Sequence, residues 1–354
     1  TGLVHWANLL SWRSFTLGAQ RASEAIELAG RHGWTEEPVA GIAYLTIAMA
    51  LVAQGRLADA ERSIEQAERT LVAEVEPAAG MRLRHIRGMF EMVSGRPEAA
   101  LASFRAADRL AALLVTEHTL ARRLRSHVLQ ALVRRGETPR VDQALAELAG
   151  PERDTVEMRN ALAMLRIAQD DPEAATVALA PIIDGSAPLV NAHLWDVQAF
   201  LLEAIARDAL GDGGAASRAL ERALDRAKPE NMLFPFLLDP APGLLERHRR
   251  QGTVHAPLIA EILNLLAPGM EGIVPPRVTV PPRVTELSQG EMRVLRYLPT
   301  KLSAPEIADQ LYLSVNTVKT HMRHLYDKLG AHRRHEAVEQ ARVLGLLAPS
   351  PRKR

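Results

Sequence analysis

A chain of 354 residues exceeds one folding unit of roughly 100–200 residues and predicts two or three. With 43 Lys+Arg against 42 Asp+Glu the formal net charge is +1, so affinity for nucleic acid or a membrane surface has to come from local clustering. The absence of cysteine excludes disulfides, thiolate metal sites and cysteine nucleophiles, and fits a cytoplasmic protein. No run of about 18 apolar residues is free of charge, so no membrane partner is expected. Thr1 follows no Met and opens no leader pattern, which reads as an excerpt of a longer polypeptide without a signal peptide.

The first 228 residues are written in helix formers, with 46 of the 56 alanines lying there. A small-residue turn recurs at Gly18, Gly55, Gly95, Gly136, Asp171 and Gly211, in steps of 37, 40, 41, 35 and 40 residues. Glycine ends a helix because it tolerates the left-handed conformation, and Pro97, Pro139 and Pro172 stand where the next helix opens. Alanines beyond each turn allow close helix packing, and Ile42, Leu45, Met49 and Val52 mark a core stripe. Each unit therefore reads as a helical hairpin that must stack on its neighbours, an α-solenoid resembling tetratricopeptide repeats over residues 1–228. Trp12, Trp34, Trp195, Tyr44, Phe90 and Phe104 are candidates for a ligand groove, although aromatics at helical spacing more often fill a core.

Residues 229–267 read as a helical cap of the solenoid, built around Met232-Leu233-Phe234-Pro235-Phe236-Leu237-Leu238 and an amphipathic stretch from Pro257. Residues 268–286 form a Pro-rich linker in which the pentapeptide PPRVT occurs twice, a semi-rigid polyproline spacer. Charge then separates the ends: residues 286–354 carry a net +5 and the first 285 residues a net −4. An excess of that size is also common on solvated helices.

From Leu287 four short helices are legible. The first runs from Gln289 to Leu298. Ser303 and Glu306 form a capping box before Ile307, Ala308 and Leu311. Ser314 caps the third, which ends at Gly330, and the fourth spans about Arg334 to Leu344. On the third, Val318, Met322, Leu325 and Leu329 make one apolar stripe, and Asn316, Lys319, Thr320, Arg323 and Asp327 fall opposite. Such a helix fits a major groove, where Lys and Arg donate to guanine and a Thr methyl meets thymine, while an N-cap hydroxyl and amide cluster where phosphates sit. A solvated surface helix would account for the charges but not for the tight helix-turn-helix around them.

Leu287-Ser288-Gln289-Gly290-Glu291, Leu302-Ser303-Ala304-Pro305-Glu306-Ile307-Ala308, Leu313-Ser314-Val315-Asn316-Thr317-Val318-Lys319-Thr320-His321, Lys328-Leu329-Gly330 and Arg334 with Ala337-Val338 closely resemble the LuxR-type helix-turn-helix. The resemblance implies base contacts by Lys319, Thr320 and Arg323, with His324 beside them, and phosphate contacts by Ser314, Asn316, Thr317 and Lys328. Gly290 stands where an Arg is usual, and Lys301 where a Gly is customary. Helical repeats joined to such a module also resemble the MalT-type activators, whose nucleotide-binding domain precedes the repeats. No Gly-Lys dipeptide, hence no Walker A loop, occurs here.

No HExxH, GxSxG or GxGxxG occurs, and Gly211-Asp212-Gly213-Gly214 reads as a turn. The pairs His332/His335 and His321/His324 lack a third ligand nearby. No catalytic residue, metal or cofactor is expected, and the chain does not read as an enzyme. The expected protein is all-α: a tetratricopeptide-like α-solenoid followed by a four-helix LuxR-type domain over residues 287–354. It should bind double-stranded DNA, as a homodimer paired around His335, Glu339 and Arg342, under control of an inducer or protein partner on the repeats. The alternative is an interaction scaffold whose terminal helices dimerise.

Overall fold

The computed structural model describes residues 2, 4, 14–72, 75–114, 118–186, 193–267, 294–295, 297–300 and 302–311, and thereafter 315, 318, 321–322, 325–326, 329, 331 and 333–343. Every element described in it is helical, and the chain divides into two compact units, Thr1–Val278 and Thr279–Arg354.

The first unit opens with α1 (Phe15–Arg31), followed by five hairpins among the described residues: α2 (Pro38–Ala53) with α3 (Leu57–Thr70), α4 (Pro77–Val93) with α5 (Pro97–Ala111), α6 (Ala121–Arg134) with α7 (Thr138–Ala146), α9 (Val156–Ala168) with α10 (Pro172–Ile183), and α11 (His193–Ala209) with α12 (Gly213–Ala227). A single turn, α8 (Gly150–Arg153), lies between α7 and α9. The hairpins bend alike. Gly55, Gly95, Gly136 and Gly211 have φ of 70°, 71°, 77° and 79°, and the amide after each donates to a carbonyl five residues back, as Arg56 does to Leu51 at 2.9 Å. Asp170, with φ 61°, holds that slot in the fourth hairpin, and Asp171 then caps α10 by accepting from the Ala174 amide at 3.0 Å. Gly18 is not a turn: it is buried inside α1, because Ser14 caps that helix by accepting from the Leu17 amide at 3.1 Å and the chain runs helical through the glycine.

Spacing from the turns sets the core. Five, nine and twelve residues after the left-handed position come Ala60, Ile64 and Ala67 in α3, Ala100, Phe104 and Ala107 in α5, Ala175, Leu179 and Ile182 in α10, and Ala216, Leu220 and Ala223 in α12, all buried. Full burial of each Ile, Leu or Phe among them contributes about 1.5–3 kcal/mol. On the facing first helices glycines allow contact at backbone range: a Cβ on Gly41 would stand 2.6 Å from Leu71 Cγ, and one on Gly88 would fall onto the Phe104 ring.

The first helices of successive hairpins pack side by side, α2 on α4, α4 on α6, α6 on α9 and α9 on α11, and form an inner layer. After α12 a 3-10 turn (Lys228–Glu230) leads through Asn231, left-handed at φ 49°, into α13 (Phe234–Leu238), α14 (Pro242–Arg250) and α15 (Ala256–Leu265). This segment crosses back to the start of the unit. The Glu230 carboxylate accepts from the Thr16 amide at 2.9 Å, and the Leu233 amide donates to the Ala53 carbonyl at 2.8 Å. The helices α14 and α15 are fastened to α12 by His248 with Glu221 and by His255 with Asp225 at 2.8 Å.

Of the aromatic candidates, Trp195, Phe90 and Phe104 are buried, Tyr44 is half-buried and Trp34 is exposed, stacked on His32; Trp12 lies outside the described residues. His127 joins two of the buried rings, stacked on Trp195 at 4.7 Å and on Phe104 at 5.8 Å, and is hydrogen-bonded to His85 at 2.8 Å. Burial, then the charges of Arg123 and Arg82, pushes His85 down to about 3, and burial likewise holds His127 well below the usual imidazole range. The pair is therefore neutral around pH 7.

Candidate nucleic-acid interface

In the second unit the local rules begin at Ser303. Glu306 accepts from the Ser303 amide at 2.7 Å and from its hydroxyl at 2.6 Å, which holds the carboxyl below its ordinary range and starts α16 (Ala304–Leu311). Ile307, Ala308 and Leu311 then bury against Val294, Leu295 and Leu298. The last helix, α17 (Arg334–Val343), adds Ala337, Val338 and Ala341 to the same core.

Between α16 and α17 each described position from 315 to 329 is helical. Val318, Leu325 and Leu329 are buried, His321, Met322 and Tyr326 are half-buried, and Val315 is exposed. The expected stripe is thus present, with Met322 at its margin. The Ala331 amide donates to the Tyr326 carbonyl at 2.8 Å, five residues back, and closes this helix just beyond Leu329. Burial raises the Tyr326 phenol, partly offset by the Arg334 charge.

Arg334 supplies a contact that sequence reasoning did not assign. Its Nε donates to the Leu298 carbonyl at 2.9 Å, Nη1 to that of Leu302 at 2.6 Å, and Nη2 to those of Tyr297 and Thr300 at 3.1 Å. One planar guanidinium thereby gathers the carbonyls of the turn leading into α16 and sets the first helix of the pair against the last helix of the module. A basic residue opening a helix runs against the helix dipole, and that mismatch was the available signal.

The candidate base readers Lys319, Thr320, Arg323 and His324, and the candidate phosphate ligands Ser314, Asn316, Thr317 and Lys328, all lie outside the described residues. The described neighbours in that segment are the buried Val318, Leu325 and Leu329, the half-buried His321, Met322 and Tyr326, and the exposed Val315. On α17, His335 is exposed and 4.0 Å from Glu336, Arg342 is half-buried, and the Glu339 side chain lies outside the described set. Among the described residues no group of three His, Cys, Asp or Glu could hold a metal ion, and no helix is long and apolar enough to cross a membrane.

With the packing in view, the class is definite: residues 285–341 match the family model of bacterial regulatory proteins of the luxR family, so the second unit carries a luxR-family helix-turn-helix domain. Among known proteins, the chain is similar to the Fimbriae Z protein of Escherichia coli (strain K12), 45% identical over 64 residues, which is 18% of this chain and 30% of that protein. It is also similar to the HTH-type transcriptional regulator MalT of Yersinia pestis (strain Pestoides F), 44% identical over 62 residues, 18% of this chain and 7% of that protein. The matched part spans less than a third of either relative's length.

Proposed function

We propose that the chain is a transcriptional regulator that reads double-stranded DNA through residues 314–328 and is controlled through the helical repeats. The observation that carries this is the luxR-family match over 285–341, joined to the buried Val318, Leu325 and Leu329, which fix the register of the intervening segment. In a helix of 3.6 residues per turn, Asn316, Thr320 and Arg323 fall about half a turn from that stripe, the side left for a major groove. Lys319, Thr320, Arg323 and His324 are assigned to base edges, and Ser314, Asn316, Thr317 and Lys328 to phosphates. One small module makes a small interface, so two copies on half-sites about one helical turn apart are assigned, paired around His335, Glu339 and Arg342. Such a regulator works in the cytoplasm and performs no catalysis in these residues. The domain division keeps the sequence boundaries: repeats over 1–228, a cap over 229–267, a linker over 268–286 and the reader from 287.

Selection of bound duplexes from a random pool tests the reading. A regulator enriches a defined sequence, and Lys319→Ala or Arg323→Ala relaxes preference at single base pairs by about 1–3 kcal/mol. Lys328→Ala weakens binding uniformly and flattens its salt dependence. Recovery of an unselected pool favours the scaffold reading instead.

A further inference from the structure

The inner layer of the first unit carries a row of polar side chains that a helical core does not require. Ser126, His127 and Gln130 on α6, Asn160 on α9 and Gln198 on α11 are all buried, and the Gln198 amide donates to Gln130 Oε1 at 3.0 Å. Over this row lies the chain's own segment from Met232 to Asp239. Its side chains Met232, Leu233, Phe234, Phe236, Leu237 and Leu238 are at most 2% exposed. It sits against α4 and α11, with the Phe234 ring edge-on to His127 at 6.1 Å.

The mode of attachment is that of a bound peptide rather than of another hairpin. A main-chain hydrogen bond, Leu233 amide to Ala53 carbonyl, holds one end. Aromatic, proline and aliphatic anchors fill the middle, and at the far end the Asp239 carboxylate accepts from Arg134 Nη2 at 3.1 Å and from Gln198 Nε2 at 2.8 Å. The cover is also incomplete in its chemistry. Among the described residues His127 Nε2, Asn160 Oδ1 and Arg134 Nε have no hydrogen-bond partner, although each is buried, and a buried polar atom left unpaired is costly. A face serving only as the seat of this apolar segment would be better apolar.

The segment is set off from its neighbours on both sides. On one side stands Asn231, a non-glycine residue in the left-handed region at φ 49°. On the other, α14 and α15 have their own fastening to α12, through His248 with Ser217 Oγ at 2.9 Å and His255 with Asp225.

We propose that the inner layer is a peptide-binding site which the chain fills with its own residues 232–239, and that its exchangeable ligand is a short segment of a partner protein that takes up a single helical turn as α13 does, with aromatic–proline–aromatic character and a carboxylate at the Asp239 position. The partner enters as the internal segment leaves, its carboxylate taken by Arg134 and its backbone by the unpaired polar groups.

Hydrogen exchange on the full chain tests the first half. The amides of 232–239 are expected to exchange at least about tenfold faster than those of α4 and α11, through an opening that leaves both helices protected. Exchange of the segment only together with those helices makes it permanent core and overturns the proposal. The second half is read by titrating a fluorescein-labelled peptide of residues 231–240 into the full chain carrying Phe234→Ala and Phe236→Ala. Saturable binding at least about tenfold tighter than to the unsubstituted chain, weakened by Asp239→Asn in the peptide, supports it. No saturable binding to a variant of unchanged helical circular dichroism overturns it, as does equal binding of a scrambled peptide. If the double variant loses its helicity, Phe234→Leu is titrated under the same criteria, and the exchange measurement stands whatever either variant does.

Discussion

Replacing Arg334 with Ala removes four hydrogen bonds at once from the turn between residues 297 and 302, and three of them, to Leu298, Leu302 and Tyr297, are half-buried. Taking each of those at about 1 kcal/mol net gives a loss of about 3 kcal/mol, while the exposed bond to Thr300 adds little. The loss falls on local stability of the module, so hydrogen exchange of amides in residues 294–311 of the full chain is the assay. Protection there should fall about a hundredfold, since each 1.4 kcal/mol is a factor of ten. Arg334→Lys keeps the charge but offers a point donor in place of a planar fork, and should recover roughly half of that loss. Protection unchanged to within about threefold in Arg334→Ala would show that the turn holds itself and would refute the tie between the first and last helices.

Other substitutions test the repeat unit, whose folding can be followed selectively because all four tryptophans precede residue 196. Gly88→Ala gains about 1 kcal/mol of helix propensity but drives a Cβ into the buried Phe104 ring, at about 1–3 kcal/mol or more, so denaturant unfolding should show net destabilisation; a gain in stability contradicts the packing. Gly136→Ala, with open space around its Cβ, should cost only the left-handed backbone term of about 1–2 kcal/mol. Gly55→Ala should cost more, because its Cβ also meets Leu237 at 3.1 Å and Leu265 at 3.2 Å, and equal losses would mean that the returning segment does not lie on that turn. Arg134→Ala strands the Asp239 carboxylate, whose pKa burial already raises despite the arginine, and should cost about 3–5 kcal/mol at pH 7. A raised folded pKa means that the protonated form is the stabilised one. The loss should therefore shrink as pH falls from 7 towards 5, and a loss that grows on acidification would contradict the buried pair.

The repeats were legible because their punctuation is steric. Gly55, Gly95, Gly136 and Gly211 stand where a Cβ is penalised, and the buried alanines five positions after Gly55, Gly95 and Gly211 follow from helix contact. Composition alone misread Gly18, where a serine cap and a continuing helix outweigh the glycine, and it could not show that Asp170 carries the left-handed residue of the fourth turn. The polar row was illegible because its cover is remote: Arg134 meets Asp239 across 105 positions, and no local period signals that pairing. In the terminal module the stripe at Val318, Leu325 and Leu329 could be read from spacing, since an amphipathic helix has one face to bury. For Arg334 the only mark was a basic residue opening a helix against its dipole, which flags the position but not the carbonyls of the distant turn that it gathers.

The central claim, that residues 314–328 read a duplex, is tested most directly by sequencing the DNA that the full chain selects from a random pool, alongside Lys319→Ala and Arg323→Ala. The account predicts one enriched motif with two related halves about one helical turn apart, and loss of preference at separate base pairs in the two variants. Failure to enrich any sequence, or the same motif at the same stringency in both variants, would contradict it.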